Sequence, residues 1–322
     1  MTLASRTRRS LWLAALLLVP LLAGATIERA DAADLKLRIG VQKYGTLVIL
    51  QQRGTLEKRL QAQGIAVQWT EFPAGPQLLE ALNVGSIDFG TTGEAPPVFA
   101  QAAGADLVYV GVEPPAPLGE AILVPKGSTV AATADLKGKR IALNKGSNVH
   151  YLLVQALAKA GLKPADIRSV FLPPADARAA FERGSVDAWV IWDPFLAAAQ
   201  EATQARVLRD GSGLVSNHQF YLASRAFADA HPDLVQAVLS EITEVDRWAS
   251  THQEEVAELL SPRTGISVAS LKIALARLGY GVTPLDDAVV AEQQRIADSF
   301  HELGLIPTRI SVRDAVWTGP KS

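Results

Sequence analysis

The sequence has no cysteine among its 322 residues. This absence excludes disulfide bonds, a thiolate nucleophile, cysteine-ligated metals and the lipidated cysteine of a bacterial lipoprotein. Motifs of several enzyme classes are also missing, namely a Gly-x-Ser-x-Gly elbow, a His-Glu-x-x-His helix and a Gly-x-Gly-x-x-Gly dinucleotide loop. Because the sequence holds no catalytic constellation, we expect a protein that is not an enzyme and uses no cofactor.

The chain also has no excess of positive charge. Its 31 lysines and arginines are outnumbered by 33 acidic residues, which gives a formal net charge of −2. Nucleic-acid binding requires a basic face, and this composition does not supply one. The chain is long enough for two globular domains of about 150 residues each. We expect a monomer that has no nucleic-acid partner.

Residues 1–32 have the three parts of a secretory signal peptide. An arginine-rich start with the pair Arg8-Arg9 precedes an apolar run over 11–22, and 30–32 is a small-x-small cleavage site. The run is shorter than the roughly 20 apolar residues that span a bilayer, so a retained anchor is the weaker interpretation. We predict cleavage on export and a periplasmic mature protein. The arginine pair fits either the general secretory or the twin-arginine route.

One helix-to-strand unit occurs twice in the mature chain, at 79–89 and at 178–188. Each copy has the pattern of an amphipathic helix that ends at a glycine, Gly85 or Gly184, followed by a short apolar strand. Each strand runs directly into the start of another helix. In open α/β sheets, ligands bind at the carboxyl ends of strands, where such helix N-termini point. The repeat therefore predicts two α/β lobes with a ligand between them.

Strands and helices alternate along the mature chain, which predicts an α/β fold of two doubly wound lobes. No Gly/Ser-rich linker is present, as a flexible tether between lobes would require. We therefore expect two strands to cross between the lobes, near Ala121–Val124 and Phe220–Ala223. The predicted first lobe is discontinuous: it comprises residues 33–122 and the mostly helical residues 224–322, and residues 123–223 form the second lobe.

Two loops at predicted strand ends carry neutral hydrogen-bond donors. Thr92 and Gly93 precede one helix, and Gly146, Ser147 and Asn148 precede another. Their polar side chains and the unpaired backbone N–H groups at a helix N-terminus suit an anion with several acceptor oxygens. Each polar side chain could equally be a simple N-cap, and the sequence leaves both interpretations open.

Five further residues have competing interpretations. Trp192, at a predicted strand end, either packs on the apolar part of a ligand or is buried near the hinge. Glu94 and Asp176 are either helix caps or cleft carboxylates that contact an amine or repel unsuitable anions. His150 and His218 have no partner at metal-ligand spacing, and we expect both at the surface or in loops.

Six blocks of the sequence resemble the aliphatic sulfonate-binding proteins of bacterial ABC importers. They are 71–77, 79–88, 92–97, 99–105, 174–181 and 186–194. The resemblance implies a type II periplasmic-binding-protein fold, whose cleft closes on an alkanesulfonate and delivers it to an ABC permease in the inner membrane for sulfur supply. It also implies a ligand site lined by Gln42, Ala74, Gly75, Thr92, Gly93, Gly146, Ser147, Asn148 and the region of Trp192.

A sulfonate is a strong acid that stays ionised at physiological pH, so it accepts hydrogen bonds and never donates one. Neutral donors such as Gln42 and Ser147 bind it without the desolvation cost of a lysine or arginine partner. Within the binding class, taurine, nitrate and a thiamin-precursor pyrimidine are alternatives. Taurine would need a carboxylate such as Glu94 or Asp176 beside its ammonium group. The preferred sulfonate stays open, because the loop at Lys43–Thr46 departs from the family pattern.

Overall fold

The computed structural model describes residues 35–319, and the predicted signal peptide lies outside the described residues. The strands in this range are β1 (Lys36–Val41), β2 (Ala66–Glu71), β3 (Phe89–Gly93), β4 (Leu107–Val112), β5 (Glu120–Val124), β6 (Arg140–Leu143), β7 (Arg168–Phe171), β8 (Ala188–Trp192), β9 (Arg206–Asp210) and β10 (Gln219–Ser224). The α-helices are α1 (Thr46–Arg53), α2 (Thr55–Gln61), α3 (Gly75–Asn83), α4 (Ala95–Ala102), α5 (Asn148–Lys159), α6 (Pro174–Glu182), α7 (Phe195–Thr203), α8 (Arg225–Ala230), α9 (Pro232–Ala249), α10 (Gln253–Thr264), α11 (Val268–Leu275) and α12 (Asp287–Glu302).

The strands form two five-stranded sheets, one in each lobe. The strand order is β2-β1-β3-β10-β4 in the first sheet and β7-β6-β8-β5-β9 in the second. β1 is parallel to β2 and β3, and β6 is parallel to β7 and β8. β10 and β5 hold the fourth position of their sheets and run antiparallel to both neighbours. The two lobes therefore share one topology, as the repeat predicts.

The repeated unit takes the same structure in both lobes. α3 ends just before Gly85 and α6 just before Gly184, and the two glycines have φ angles of 70° and 68°. Glycine adopts this left-handed conformation without steric cost, so it ends each helix and turns the chain toward the next strand.

The aspartate of each copy then ties its strand to the neighbouring one. Asp88 accepts the Arg38 backbone N–H and the Arg38 Nε–H, both at 2.9 Å. Asp187 accepts the corresponding groups of Arg140 at 2.7 and 3.3 Å. The repeated Gly-Ser-[Ile/Val]-Asp sequence is therefore a device that ends a helix and sets the position of a strand.

Helices cover both faces of each sheet. One face of the first sheet packs on α1, α2 and α8–α11, and the other on α3, α4 and α12. In the second sheet, α5 covers one face, and α6 and α7 cover the other. Among residues 35–319, none of the helices combines the length and apolar character needed to cross a membrane.

The chain passes between the lobes in two loops, 113–119 and 211–218. The strands near the predicted crossings, β5 and β10, each pair within a single sheet. The crossing therefore occurs in the loops that precede these strands, because the backbone groups of each strand are used in the ladder of its own sheet. The predicted lobe boundaries at 122 and 223 remain predictions.

The two connecting loops lie side by side. The Ala116 N–H donates to the Ser216 carbonyl at 3.0 Å, and the Gly211 N–H donates to the Pro117 carbonyl at 3.0 Å. The hinge is thus a pair of hydrogen-bonded segments.

The substitution Gly211→Ala tests this contact between the loops. A Cβ at Gly211 would lie 2.6 Å from the Pro117 carbonyl oxygen, which can move only with its backbone. We expect the free energy of unfolding, measured by urea denaturation, to fall by about 1–3 kcal/mol, the usual cost of overpacking. Gly127→Ala is the control, because a Cβ there has no atom within 4 Å. Equal stability of the two variants would contradict a close contact between the loops.

Candidate functional site

A cavity lies between the lobes at the carboxyl ends of the parallel strands. This inner cavity, with about 370 Å³ of empty space when its opening to solvent is counted, is lined by Gln42, Tyr44, Gly75, Gly93, Pro96 and Gln219 of the first lobe and by Ser147, Asn148 and Trp192 of the second. All of these lining residues are uncharged. An anion here would meet neither a repelling carboxylate nor a strongly hydrated cation.

A wider and more apolar pocket adjoins the inner cavity. This outer pocket has about 780 Å³ of empty space when its opening to solvent is counted, and it shares Gln42, Tyr44 and Trp192 with the inner cavity. Its other walls are Lys43, Glu71, Phe72, Pro73, Pro173, Pro174, Ala175 and Phe195. The two spaces together suit an elongated molecule that has a compact polar end and an apolar body.

Helix N-termini give the inner cavity its polar character. Gly75 is the first residue of α3 and Asn148 is the first of α5, and neither helix has a side-chain cap. Ser224, Ser267 and Asp286 cap α8, α11 and α12, whereas α9 and α10, which also begin elsewhere, have no side-chain cap. The first-turn N–H groups of an uncapped helix carry partial positive charge and attract anions. The cavity therefore has anion-binding character without a cationic side chain.

The predicted hydroxyl donors are engaged within the protein. Ser147 holds the N-cap position of α5, but its hydroxyl donates to the Asn144 carbonyl at 2.8 Å and does not cap the helix. Thr92 is fully buried, and its hydroxyl donates to the Gly93 carbonyl at 3.0 Å. The N-cap interpretation is therefore wrong for both side chains.

Asn148 links the two lobes. Its Nδ2 donates to Glu120 Oε2 and to Asn217 Oδ1, both at 2.8 Å, which uses both hydrogens of the amide. On the other side, a Cβ at Gly93 of the first lobe would lie 2.7 Å from Asn148 Oδ1. The missing side chain at Gly93 therefore allows this close approach of the lobes.

The structure brings six predicted site residues together in the inner cavity: Gln42, Gly75, Gly93, Ser147, Asn148 and Trp192. Five others do not line it: Ala74, Thr92, Glu94, Gly146 and Asp176. Ala74 and Thr92 are fully buried beside lining glycines, and Asp176 is exposed in the first turn of α6, where its side chain meets solvent. Ligand contact itself stays a prediction for all of them.

Sequence reasoning missed Tyr44, Pro96 and Gln219. The Tyr44 hydroxyl donates to the Ala274 carbonyl at 3.0 Å, which fixes the ring at the cavity. Gln219 is the first residue of β10, and a search of strand carboxyl ends overlooks it because this antiparallel strand meets the cleft with its amino end. In the sequence, one feature indicates that Gln219 lies near the cleft: it directly precedes the strand predicted to cross between the lobes.

Glu94 lines a second cavity, of about 620 Å³, whose walls include Tyr151, His218, Glu292 and Arg295. Its Oε2 accepts the His218 backbone N–H at 3.1 Å, and its Oε1 has no hydrogen-bond partner. Burial raises the pKa of the Glu94 carboxyl to about 8. At neutral pH this carboxyl is therefore mostly protonated, and it does not cap α4.

His150 and His218 are both buried, each with 5% of its surface exposed. The expectation of a surface or loop position was wrong for His150, which lies in α5, whereas His218 does lie in a loop, the second connecting loop. His218 Nδ1 lies 2.8 Å from the Glu113 carbonyl oxygen. His150 lies in the first turn of α5, which is enclosed between the second sheet and the helices of the first lobe. Among the described residues, no group of three or more histidines and acidic side chains could hold a metal.

Comparison with known proteins places this chain among binding proteins. A model of the NMT1/THI5-like family matches residues 60–256. An aliphatic sulfonates-binding protein of Escherichia coli K12 is 47% identical over 290 residues, which is 89% of this chain and 90% of the relative. The structure of the alkanesulfonate-binding protein of Xanthomonas axonopodis pv. citri, bound to MOPS, has a TM-score of 0.84 and 46% identity, covering 88% of this chain and 98% of that one.

The structure of the periplasmic aliphatic sulphonate binding protein of Escherichia coli has a TM-score of 0.80 and 46% identity, covering 89% of this chain and 93% of that one. The predicted periplasmic-binding-protein fold is thereby confirmed.

The raised pKa of Glu94 predicts a pH-dependent stability. A carboxyl whose pKa is higher in the folded state stabilises the fold at low pH and loses this contribution as pH rises from about 4.5 to about 8. Between about pH 5 and about pH 8, we expect the wild type to lose more stability in urea denaturation than Glu94→Gln, by on the order of a few kcal/mol. Glu80→Gln, exposed on α3, is the control. Parallel stability curves for wild type and Glu94→Gln would refute the prediction.

Proposed function

Because this chain belongs to the aliphatic sulfonate-binding proteins of the NMT1/THI5-like family, we propose that it is the periplasmic solute-binding component of an ABC importer for aliphatic sulfonates. It binds the sulfonate group in the inner cavity and the organic part in the outer pocket, and it delivers the ligand to a membrane permease for sulfur acquisition. The observation that carries the proposal is the uncharged lining of the inner cavity at the start of uncapped helices.

The three oxygens of a sulfonate match the donors at the inner cavity. The first residues of α3 and α5, Gly75 and Asn148, line the inner cavity, so first-turn N–H groups of both helices lie beside it, and Gln42 adds an amide. Its Nε2 donates one hydrogen to the Thr91 carbonyl at 3.1 Å, and the second hydrogen is available for ligand. Hydrogen bonds to a charged acceptor contribute about 1.5–3 kcal/mol each. Several of them hold the anion, and a site without a buried cation avoids the desolvation cost of an ion pair.

The organic part of the ligand packs in the outer pocket. Trp192 lies where the two spaces meet, so its ring contacts the carbon next to the sulfur. Phe72 and Phe195 form further walls. Apolar contact of this kind contributes about 25 cal/mol per Å² of buried surface and has little directional preference. The pocket therefore accepts a range of tails, and the sulfonate group determines recognition.

Lobe closure couples binding to transport. Both lobes line the inner cavity, so the full set of ligand contacts forms only when the lobes are close together. The approach of Asn148 to Gly93 is a contact of this closed arrangement. A ligand that touches both lobes shifts the open–closed equilibrium toward closure, and the permease reads the closed shape.

We propose binding without catalysis. The Ser147 hydroxyl donates to a backbone carbonyl and has no adjacent base to activate it as a nucleophile. Taurine is a weaker candidate than a simple alkanesulfonate, because its ammonium group needs a free carboxylate. Neither Glu94 nor Asp176 lines the inner cavity or the outer pocket, and Glu71 of the outer pocket is already paired with Arg263. The monomeric state and the lack of a nucleic-acid partner remain predictions from composition.

A panel of anions tests the proposed ligand class. We expect alkanesulfonates of several chain lengths to raise the melting temperature, with direct binding in calorimetry, because a ligand at 100 times its Kd stabilises the folded state by about 2.7 kcal/mol. Sulfate, nitrate and a thiamin-precursor pyrimidine should give no shift. Stabilisation by taurine alone, by nitrate alone or by the pyrimidine alone would contradict the proposal, and so would no shift with any compound.

The isosteric change Gln42→Glu tests the charge of the ligand. It places a carboxylate in the lining and should weaken sulfonate affinity by about 100-fold in calorimetry, because like charges in contact cost several kcal/mol. Gln63→Glu, the same change at an exposed position, is the control and should bind like the wild type. Unchanged or tighter binding by Gln42→Glu would show that the ligand anion lies elsewhere.

A further inference from the structure

His150 lies at the boundary between the lobes. Its ring stacks on Phe99 of α4, with centroids 6.3 Å apart and planes inclined by 14°, and it lies 5.9 Å from the ring of Phe300 of α12. On the side of the second lobe, Phe171 meets the ring edge-on at 5.8 Å. This second-lobe histidine is thus packed largely by first-lobe side chains.

The same ring holds the loop that borders the inner cavity. The Gly146 N–H donates to His150 Nδ1 at 3.3 Å. An Nδ1 that accepts a hydrogen bond carries no proton, so this contact requires the neutral Nε2–H form of the ring. Burial, with a smaller effect of Lys145, lowers the pKa of His150 to about 4. The ring therefore remains a hydrogen-bond acceptor at neutral pH.

Phe99 of the first lobe contacts both partners of this hydrogen bond. Besides stacking on His150, its ring lies against Gly146, where a Cβ would be 3.6 Å from Phe99 Cδ2. Neither Phe99 nor His150 lines the inner cavity or the outer pocket. Any separation of the lobes removes Phe99 from the loop and from the ring at the same time.

We propose that His150 is a positioning residue that makes the binding conformation of loop 146–148 depend on lobe closure. With the lobes together, Phe99 holds the ring where Nδ1 accepts the Gly146 N–H, and the loop presents the N-terminus of α5 to the inner cavity. With the lobes apart, the ring loses its first-lobe support and the loop loosens. The use of this dependence in ligand binding rests on the proposed function. The dependence of loop 146–148 on lobe closure itself requires no ligand.

Hydrogen exchange of the Gly146 amide, followed by nuclear magnetic resonance without ligand, tests the linkage. We expect Phe99→Leu, a change in the other lobe, to accelerate this exchange by about tenfold. Phe227→Leu is the control for a general loss of stability, because buried Phe227 belongs to α8 of the same lobe and its ring packs on His231. Unchanged exchange in Phe99→Leu, or equal acceleration in the control, would overturn the proposal.

Two variants of His150 separate the acceptor from the packing. His150→Phe keeps a ring but has no acceptor, so it should lose the protection of Gly146, and adding Phe99→Leu should then change nothing further. His150→Asn places an oxygen near the position of Nδ1 and should restore part of the protection. Equal exchange in both variants would reduce His150 to a packing role and overturn the proposal.

Sulfonate affinity is measured on the same proteins as a separate readout, and we expect His150→Phe to bind about tenfold more weakly than His150→Asn. Equal affinities would overturn the positioning role in binding. If the wild type binds no sulfonate, the proposed function fails, and the exchange experiment still decides the linkage.

Discussion

A buried backbone N–H group must find an acceptor, and this requirement shapes the cleft. α3 and α5 begin at the inner cavity with no side-chain cap, so their first-turn donors are directed at whatever enters. The side chains of Thr92 and Ser147 do not satisfy them, because neither accepts a hydrogen bond from the first turn of α3 or α5. An anion with several oxygens fits this set of donors, and under the proposed function these donors take the place of a cationic side chain.

The two lobes share one topology, and each sheet contains one strand that follows, along the chain, a strand of the other sheet. β5 follows β4 of the first sheet but pairs in the second sheet, and β10 follows β9 of the second sheet but pairs in the first. Both strands hold the fourth position of five, between two neighbours, so each connecting loop leads into the interior of a sheet. The hinge is therefore anchored in the most rigid part of each lobe, and a hinge rotation moves whole lobes.

The sequence predicts those features whose cause is local. A glycine after an amphipathic helix ends it by its own conformational freedom, and Gly85 and Gly184 do so in the structure. The two polar loops beside the inner cavity are predictable for the same reason, since their composition and their place before a helix are both visible in the sequence. These local signals suffice for the α/β fold, the two lobes and most of the inner cavity.

The features that sequence reasoning misses depend on contacts between distant segments. The burial of His150 follows from packing against Phe99 and Phe300, which come from helices far away in the sequence. The role of Gln219 follows from the direction of β10, which periodicity does not reveal. The partner of the Ser147 hydroxyl depends on how its loop folds back on Asn144.

The amide of Asn217 gives the hinge a mechanical connection to the cleft. Asn217 lies in the second connecting loop; its Nδ2 donates to the Ala116 carbonyl of the first connecting loop, and its Oδ1 accepts from Asn148 at the start of α5. A displacement of the N-terminus of α5 is thus transmitted to both connecting loops through the Asn217 side chain. Two segments fastened in this way admit few relative orientations of the lobes. A hinge restricted in this way reduces the conformational entropy that lobe closure costs, and preorganisation of this kind favours ligand affinity.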